Sequence, residues 1–260
     1  MLNLIDIEDI FIPELQIYHT LRSNILDTQN SFIADSPKVV NLLLDGDINV
    51  KSILATKDYY DEFKELIETK NIAKLYVADK KVISKIVGHK IHHNCMMHGT
   101  RPAPTPLNEL SDNILMIDDI TSAENIGSIA RSMAALGVNS YLVPTYSPHP
   151  YGRRALRVSM GYVSYLKYHI YEDIISTCQK LKEQGYKIFA AEVTKDSTPL
   201  WHVQTPKKWV LIMGHEGRGI SQDILNICDE VVTIEMQEGI KSFNVGVAAS
   251  LIMYKFSKKC

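Results

Sequence analysis

Three short runs of this sequence place glycines, amides and charged side chains where an apolar stretch gives way to a loop or a helix. The first, IDDITSAENIGSIAR, sets Asn125 and Gly127 about one and a half turns and one turn of helix ahead of Arg131, so Arg131 shares nearly one helical face with Gly127. A small residue at 127 lets another backbone or a phosphate approach, and a helix N-terminus attracts anions. The plainer alternative makes Asn125 a helix cap and Arg131 a surface cation. The second run, IMGHEGRGIS, has Gly214, Gly217 and Gly219 after an apolar stretch, with Ser221 placed to cap the next helix. Such a loop can adopt positive φ and bring main-chain donors close to a ligand. It lacks both the dinucleotide fingerprint and a phosphate-loop lysine, so alone it fits nucleotides, phosphates or no ligand at all. Glu216 is the charged side chain of that loop able to pair with a cation. The third run, IEMQEGIKSFNVGVAASLIMYKF, puts Ser242 and Asn244 directly before a long apolar helix, where they can cap it, line a site, or do both.

Two basic stretches are the candidates for phosphate contact. Lys80 to Arg101 holds Lys80, Lys81, Lys85, Lys90 and Arg101 with no acid, and Tyr151 to Lys167 holds Arg153, Arg154 and Arg157. A solvated face would look the same. The formal net charge of −2 argues against a protein that coats nucleic acid indiscriminately. His92, His93, Cys95 and His98 invite a metal, but alternation along a strand splits them between two faces. Cys95, Cys178, Cys228 and Cys260 form no CxxC pair, which points to reduced thiols and away from a disulfide framework or a zinc knuckle. No metal is expected. A composition of 45% hydrophobic and 22% charged residues is that of a soluble globular protein. No run looks like a membrane span, and the opening MLNLIDIEDIFIPEL carries acids where a secretory peptide carries basic residues, so a cytoplasmic protein is expected.

The elements that must position these runs read as α/β throughout, and 260 residues suggest two domains. Before residue 106 short elements alternate: a helix from Pro13 to Arg22, a strand and helix across SFIADSPKVVNLLLD, another pair from Val50 to Lys70, then LYVADKKVISKIVG. Pro102, Pro104 and Pro106 forbid a continuous helix and mark a connector, giving domains of 1–106 and 107–260. Beyond it, ILMIDDI, SYLVP, KIFAAEV, WVLIMG and EVVTIEM read as strands of a parallel sheet buried on both faces. Helical patterns separate them, including NIGSIARSMAALG, which Gly137 is placed to close, EDIISTCQKLKEQG and SQDILNIC. The sequence shows no internal repeat.

Together, in this order and spacing, the three runs resemble the three motifs of the SpoU/TrmH family, the RNA ribose methyltransferases of the SPOUT superfamily. Asn125, Gly127, Ile129, Arg131 and Gly137 match the first motif; Gly214, Glu216 and Gly219 the second; Ser242, Asn244 and the following Val-x-Val-Ala-Ala the third. The resemblance covers roughly the last 150 residues. It implies a parallel sheet whose C-terminal segment threads a loop as a trefoil knot, an exception to the rule that chains do not thread. It implies S-adenosylmethionine bound in the knot mainly by backbone, at Met213, Gly214, Gly219, Ile234, Met236, Phe243, Asn244 and Val245, with Phe243 standing where the family usually has Leu. It also implies a homodimer through the knot region, whose site draws on both subunits. FIADSPKVVNLLL and HHNCMMHGTRP are similar to segments of the ribosomal-protein-like RNA-binding domain of many members, although Cys95 stands where glycine is common.

The function so implied is methylation of a ribose 2′-hydroxyl in a structured RNA, ribosomal before transfer RNA because of the extra N-terminal domain, on guanosine or another nucleoside. Arg131 takes the central role, and Asn125, Glu216, Ser242 and Asn244 hold it and the ribose. Arginine stays protonated in ordinary protein environments, so it orients a phosphate and the developing alkoxide, and the proton leaves to water or an RNA phosphate. Arg153, Arg154 and Arg157 are expected on the RNA surface, with Arg157 matching a basic position of the family. A non-catalytic RNA-binding or ribosome-assembly factor that keeps the fold is one alternative. A small-molecule enzyme on an ordinary doubly wound sheet is another.

Overall fold

The computed structural model describes residues 2–19 and 30–257. The chain divides into two compact units, Met1–Ala103 with Tyr151–Ser164, and Pro104–Pro150 with Tyr165–Cys260.

The first unit is a mixed five-stranded sheet. Its strands β1 (Leu4–Asp6), β2 (Ser31–Asp35), β3 (Val50–Ala55), β4 (Lys74–Val77) and β5 (Cys95–Thr100) lie in the order β1-β4-β3-β5-β2. The first three in that order are parallel, and β5 runs antiparallel to both its neighbours. The helix expected from Pro13 starts as a 3-10 turn at Pro13–Leu15 and continues as α1 (Gln16–His19); its expected extension to Arg22 falls outside the described residues. The other helices are α2 (Pro37–Asp45), α3 (Lys57–Glu62), α4 (Lys64–Glu68) and α5 (Lys80–Val87). Phe63, at φ −111° and ψ 24°, interrupts what periodicity alone reads as one helix after β3.

Residues 151–164, which lie past a sequence boundary at 106/107, pack with this first unit. The cause is local. Asp35, at the end of β2, is only 8% exposed at its side chain, and a carboxylate that buried needs cations. Helix α7 (Arg153–Val158) brings two: Arg153 donates to Asp35 Oδ2 from Nε at 3.0 Å and from Nη2 at 2.6 Å, and Arg157 Nη2 donates to the same oxygen at 3.2 Å. The buried Tyr151 ring packs on Phe32 of β2 at 5.5 Å between centroids.

The second unit is a seven-stranded, wholly parallel sheet, as its apolar runs require. It contains β6 (Asn113–Ile117), β7 (Ser140–Pro144), β8 (Lys167–Tyr171), β9 (Lys187–Ala191), β10 (Thr198–Pro199), β11 (Trp209–Met213) and β12 (Glu230–Thr233), ordered β10-β12-β9-β11-β6-β7-β8. Central β11 is buried at all five positions. Its helices are α6 (Ala123–Leu136), α8 (Ile174–Glu183), α9 (Gln222–Ile227) and α10 (Val245–Ser257). Gly137 closes α6 in the left-handed region at φ 71°, as its position predicts. No helix among the described residues is long and apolar enough to cross a membrane.

Register decides where a ligand can sit. Met213 pairs across with both Ile117 and Ala191, so β6, β9 and β11 end level, and the segments that follow them leave the same carboxyl edge. In an open parallel sheet that edge is where loops converge into a crevice.

Candidate functional site

At that edge lies a cavity of about 610 Å³, enclosed by the segments that follow β9, β11 and β12 and by the start of α10. A cavity of this size suits a nucleotide-sized ligand. Its walls include Met213, Gly214, Gly219, Ile234, Met236, Phe243, Asn244 and Val245, the eight positions for which the sequence implied cofactor contact, together with Glu216 and Ser242.

The loop after β11 is closed on itself. Gly219 donates its N–H to the His215 carbonyl at 2.9 Å, and His215 Nδ1 accepts from the N–H groups of Gly217 and Arg218 at 2.9 and 3.2 Å, which puts the proton of the neutral ring on Nε2. A Cβ on Gly214 would meet the Gly219 carbonyl carbon and oxygen at 2.7 and 2.8 Å, and Gly219 itself holds φ 67°. Both positions therefore require glycine. Ser221 occupies the N-cap position of α9 with extended backbone, but its side chain makes no capping bond.

Three side chains from the three runs join in one hydrogen-bonded chain. Asn125 Nδ2 donates to Glu216 Oε1 at 2.7 Å, and Asn244 Nδ2 donates to Asn125 Oδ1 at 3.1 Å. The alternatives left open by the sequence resolve differently at the two asparagines. Ser122, not Asn125, caps α6, accepting from the Asn125 N–H at 3.3 Å. Asn244 does cap α10, its Oδ1 accepting from the Gly246 and Val247 N–H groups at 2.9 and 3.4 Å, while its amide nitrogen serves the site. Partial burial raises the Glu216 pKa, but the Asn125 hydrogen bond and backbone amides of 216, 121 and 122 outweigh it and hold the carboxyl below its ordinary value.

Helix α10 closes the cavity by lying against α6. A Cβ on Gly246 would come within 3.1 Å of Ser128 Oγ, and Ser250 Oγ donates to Ser132 Oγ at 2.7 Å. Arg131 is exposed and is not part of the cavity wall. Six residues of helix carry it about 120° around the axis from Asn125, so one chain does not bring the two side chains to the same face. Arg154 is exposed on α7, and Arg153 and Arg157 hold Asp35.

Three charged residues of the cavity wall were not foreseen: Glu192, Arg218, which pairs with Asp119, and Lys241. Glu192 follows β9 directly, and Lys241 lies in the segment before α10. The signal for the first was available, since an acid immediately after a buried parallel strand stands on the ligand edge of the sheet. Among the described residues no group of three or more His, Cys, Asp or Glu side chains could hold a metal ion.

Fold and cavity define the class: a parallel α/β protein that binds its ligand through loops and glycines at the carboxyl edge of the sheet. The model of the SpoU rRNA Methylase family matches residues 112–254, and the chain belongs to that family. The resemblance carried by the three runs is thereby borne out. An uncharacterised tRNA/rRNA methyltransferase of Mycobacterium bovis is 27% identical over 229 residues, covering 86% of this chain and 79% of that protein. Among solved structures, an AdoMet-bound rRNA methyltransferase from Sinorhizobium meliloti superposes with a TM-score of 0.85 at 18% identity, covering 97% of each chain. The SpoU methyltransferase AviRb from Streptomyces viridochromogenes, in complex with AdoMet, does so with a TM-score of 0.82 at 19% identity, covering 94% of this chain and 97% of that one. At these identities the superpositions establish the fold.

Proposed function

We propose that the chain is an S-adenosylmethionine-dependent RNA methyltransferase that modifies a ribose 2′-hydroxyl, in ribosomal RNA before transfer RNA. The observation that carries this reading is the Glu216–Asn125–Asn244 hydrogen-bonded chain at the cavity, because it ties the three motif runs into one site. A non-catalytic factor would have no need of that chain, and a doubly wound small-molecule enzyme would not unite these three runs.

The cofactor reading rests on the fit of the cavity: about 610 Å³, glycines at 214 and 219 that admit no Cβ, and apolar walls from Met213, Ile234, Met236 and Phe243. S-adenosylmethionine, when bound there, supplies an electrophilic methyl group. The chain's own contribution is placement and exclusion of water, which is where most of the rate effect of such a transfer arises. Asn125, Glu216, Ser242 and Asn244 form the polar rim that would hold the ribose. Arg131 stabilises the oxygen as it loses its proton to water or to an RNA phosphate. Because Arg131 lies outside its own cavity wall, it acts at the cavity of a second subunit.

A homodimer accounts for this and for an apolar surface on the outer face of α10. Val247, Leu251 and Tyr254 repeat at helical spacing and remain 47%, 41% and 49% exposed. The trefoil knot belongs to the same reading, as do a cytoplasmic site of action and an RNA-binding role for the first unit. In that unit Arg154 and the part of Arg157 not turned to Asp35 would meet RNA phosphates. The preference for ribosomal RNA is supported by the coverage of both units in the Sinorhizobium meliloti structure, which is described as an rRNA methyltransferase. Mapping of 2′-O-methyl positions in total RNA from cells with and without the protein tests the reading. It predicts loss of one or a few ribose methylations, and an unchanged ribose map would contradict it.

A further inference from the structure

We infer that Glu192 is a specificity-determining residue, whose fixed negative charge makes the cavity favour the positively charged methyl donor over the uncharged product left behind. This rests on the S-adenosylmethionine reading above. Glu192 is half-buried, follows β9 directly and lines the cavity. Its carboxylate is held at both oxygens: Oε1 accepts from the Val193 N–H at 2.9 Å, and Oε2 accepts from the Ile220 N–H at 2.8 Å. It also lies against Gly219 so closely that a Cβ there would overlap Oε2. The charge is therefore pinned to the glycine loop that the ligand must touch.

That charge has no counter-cation. Among the described residues no Lys, Arg or His pairs with Glu192, and the two cations of the cavity wall are placed otherwise: Arg218 pairs with Asp119, and Lys241 is exposed. The other wall carboxylate, Glu216, accepts from Asn125. A fixed carboxylate in a partly enclosed cavity concentrates its field there, since low-dielectric walls screen less than water does. A ligand with an excess positive charge is then the missing counter-ion.

Methyl transfer changes that charge. The bond between sulfur and the methyl carbon breaks with its electron pair left on sulfur, a bond from the ribose oxygen to that carbon forms, and the hydroxyl proton leaves to water or an RNA phosphate. Before transfer the cofactor's sulfonium and ammonium exceed its single carboxylate by one positive charge; afterwards the thioether product is neutral overall. Glu192 consequently attracts the donor and not the product, which favours exchange of one for the other after each turnover.

The test is calorimetric titration of the full chain with S-adenosylmethionine and S-adenosylhomocysteine. Glu192→Gln removes the charge but also turns an amide N–H toward one of the two backbone donors, so affinity for both ligands falls together. The ratio of the two Kd values cancels that shared loss. The ratio of product Kd to donor Kd should drop on the order of 5- to 10-fold in Glu192→Gln at low salt, and should hold in Glu192→Asp, which keeps the charge. An unchanged ratio in Glu192→Gln overturns the proposal and makes the residue a strut for the loop. For the unaltered chain, where folding of a variant is not in question, the ratio should narrow as salt rises, and a salt-independent ratio would equally overturn it. A chain that binds neither ligand would instead overturn the cofactor reading.

Discussion

Around the cavity the polar groups hold one another, whereas the residue given the central chemical role stands alone. Glu216, Asn125 and Asn244 form one hydrogen-bonded chain, and Glu192 and His215 fix the glycine loop from both sides. Arg131, exposed on α6, has no hydrogen bond or ion pair among the described residues. The polar groups at the cavity are thus fixed by the fold itself, while Arg131 lies outside that wall; in the function proposed above, a second subunit and the RNA would complete the reacting side. Binding of the cofactor and transfer of the methyl group should accordingly be separable by mutation.

The largest effect on cofactor binding is expected where the preformed side is broken. Gly219→Ala forces a side chain into the left-handed region and against Glu192, and should weaken S-adenosylmethionine binding by roughly 100-fold in calorimetry while circular dichroism stays native. Near-normal affinity would mean that the loop is not the cofactor wall. Asn125→Ala cuts the polar chain at its middle and should slow methyl transfer by about 10- to 100-fold, with cofactor affinity within a few-fold. It should also move the pH profile. The folded-state pKa of Glu216 is lowered, so its contribution is complete above the ordinary glutamate range and is lost only as pH falls through the lowered value. Without Asn125 that acid limb should shift to higher pH, and a limb that stays in place would remove Glu216 from the chain. The smallest effect on the site is expected from Asp35→Asn. It should cost the first unit about 1–3 kcal/mol in thermal unfolding, leave cofactor affinity unchanged, and steepen the salt dependence of RNA binding as Arg153 and Arg157 lose their carboxylate. A salt slope equal to that of the unaltered chain would take α7 off the RNA surface.

The same contrast explains what could be read from the sequence. Strands buried on both faces, such as WVLIMG and ILMIDDI, announce themselves as continuous apolar runs, and the motif runs fall at their carboxyl ends. The eight expected cofactor positions, which the resemblance to the family implied, line the cavity. Edge strand β8, in the polar stretch LKYHIY, carries no such run, and two-residue β10 is too short to show one. Pairings distant in sequence were equally hidden. Nothing in FIAD indicates that Asp35 will bind Arg153 and Arg157 and draw 151–164 into the first unit. Nor does AAEV reveal that Glu192 will hold the amide of Ile220, 28 residues later.

The most direct test separates the two sides at Arg131. Purified Arg131→Ala should bind S-adenosylmethionine within a few-fold of the unaltered chain and transfer no detectable labelled methyl group to its RNA. Normal turnover by that variant would contradict the account.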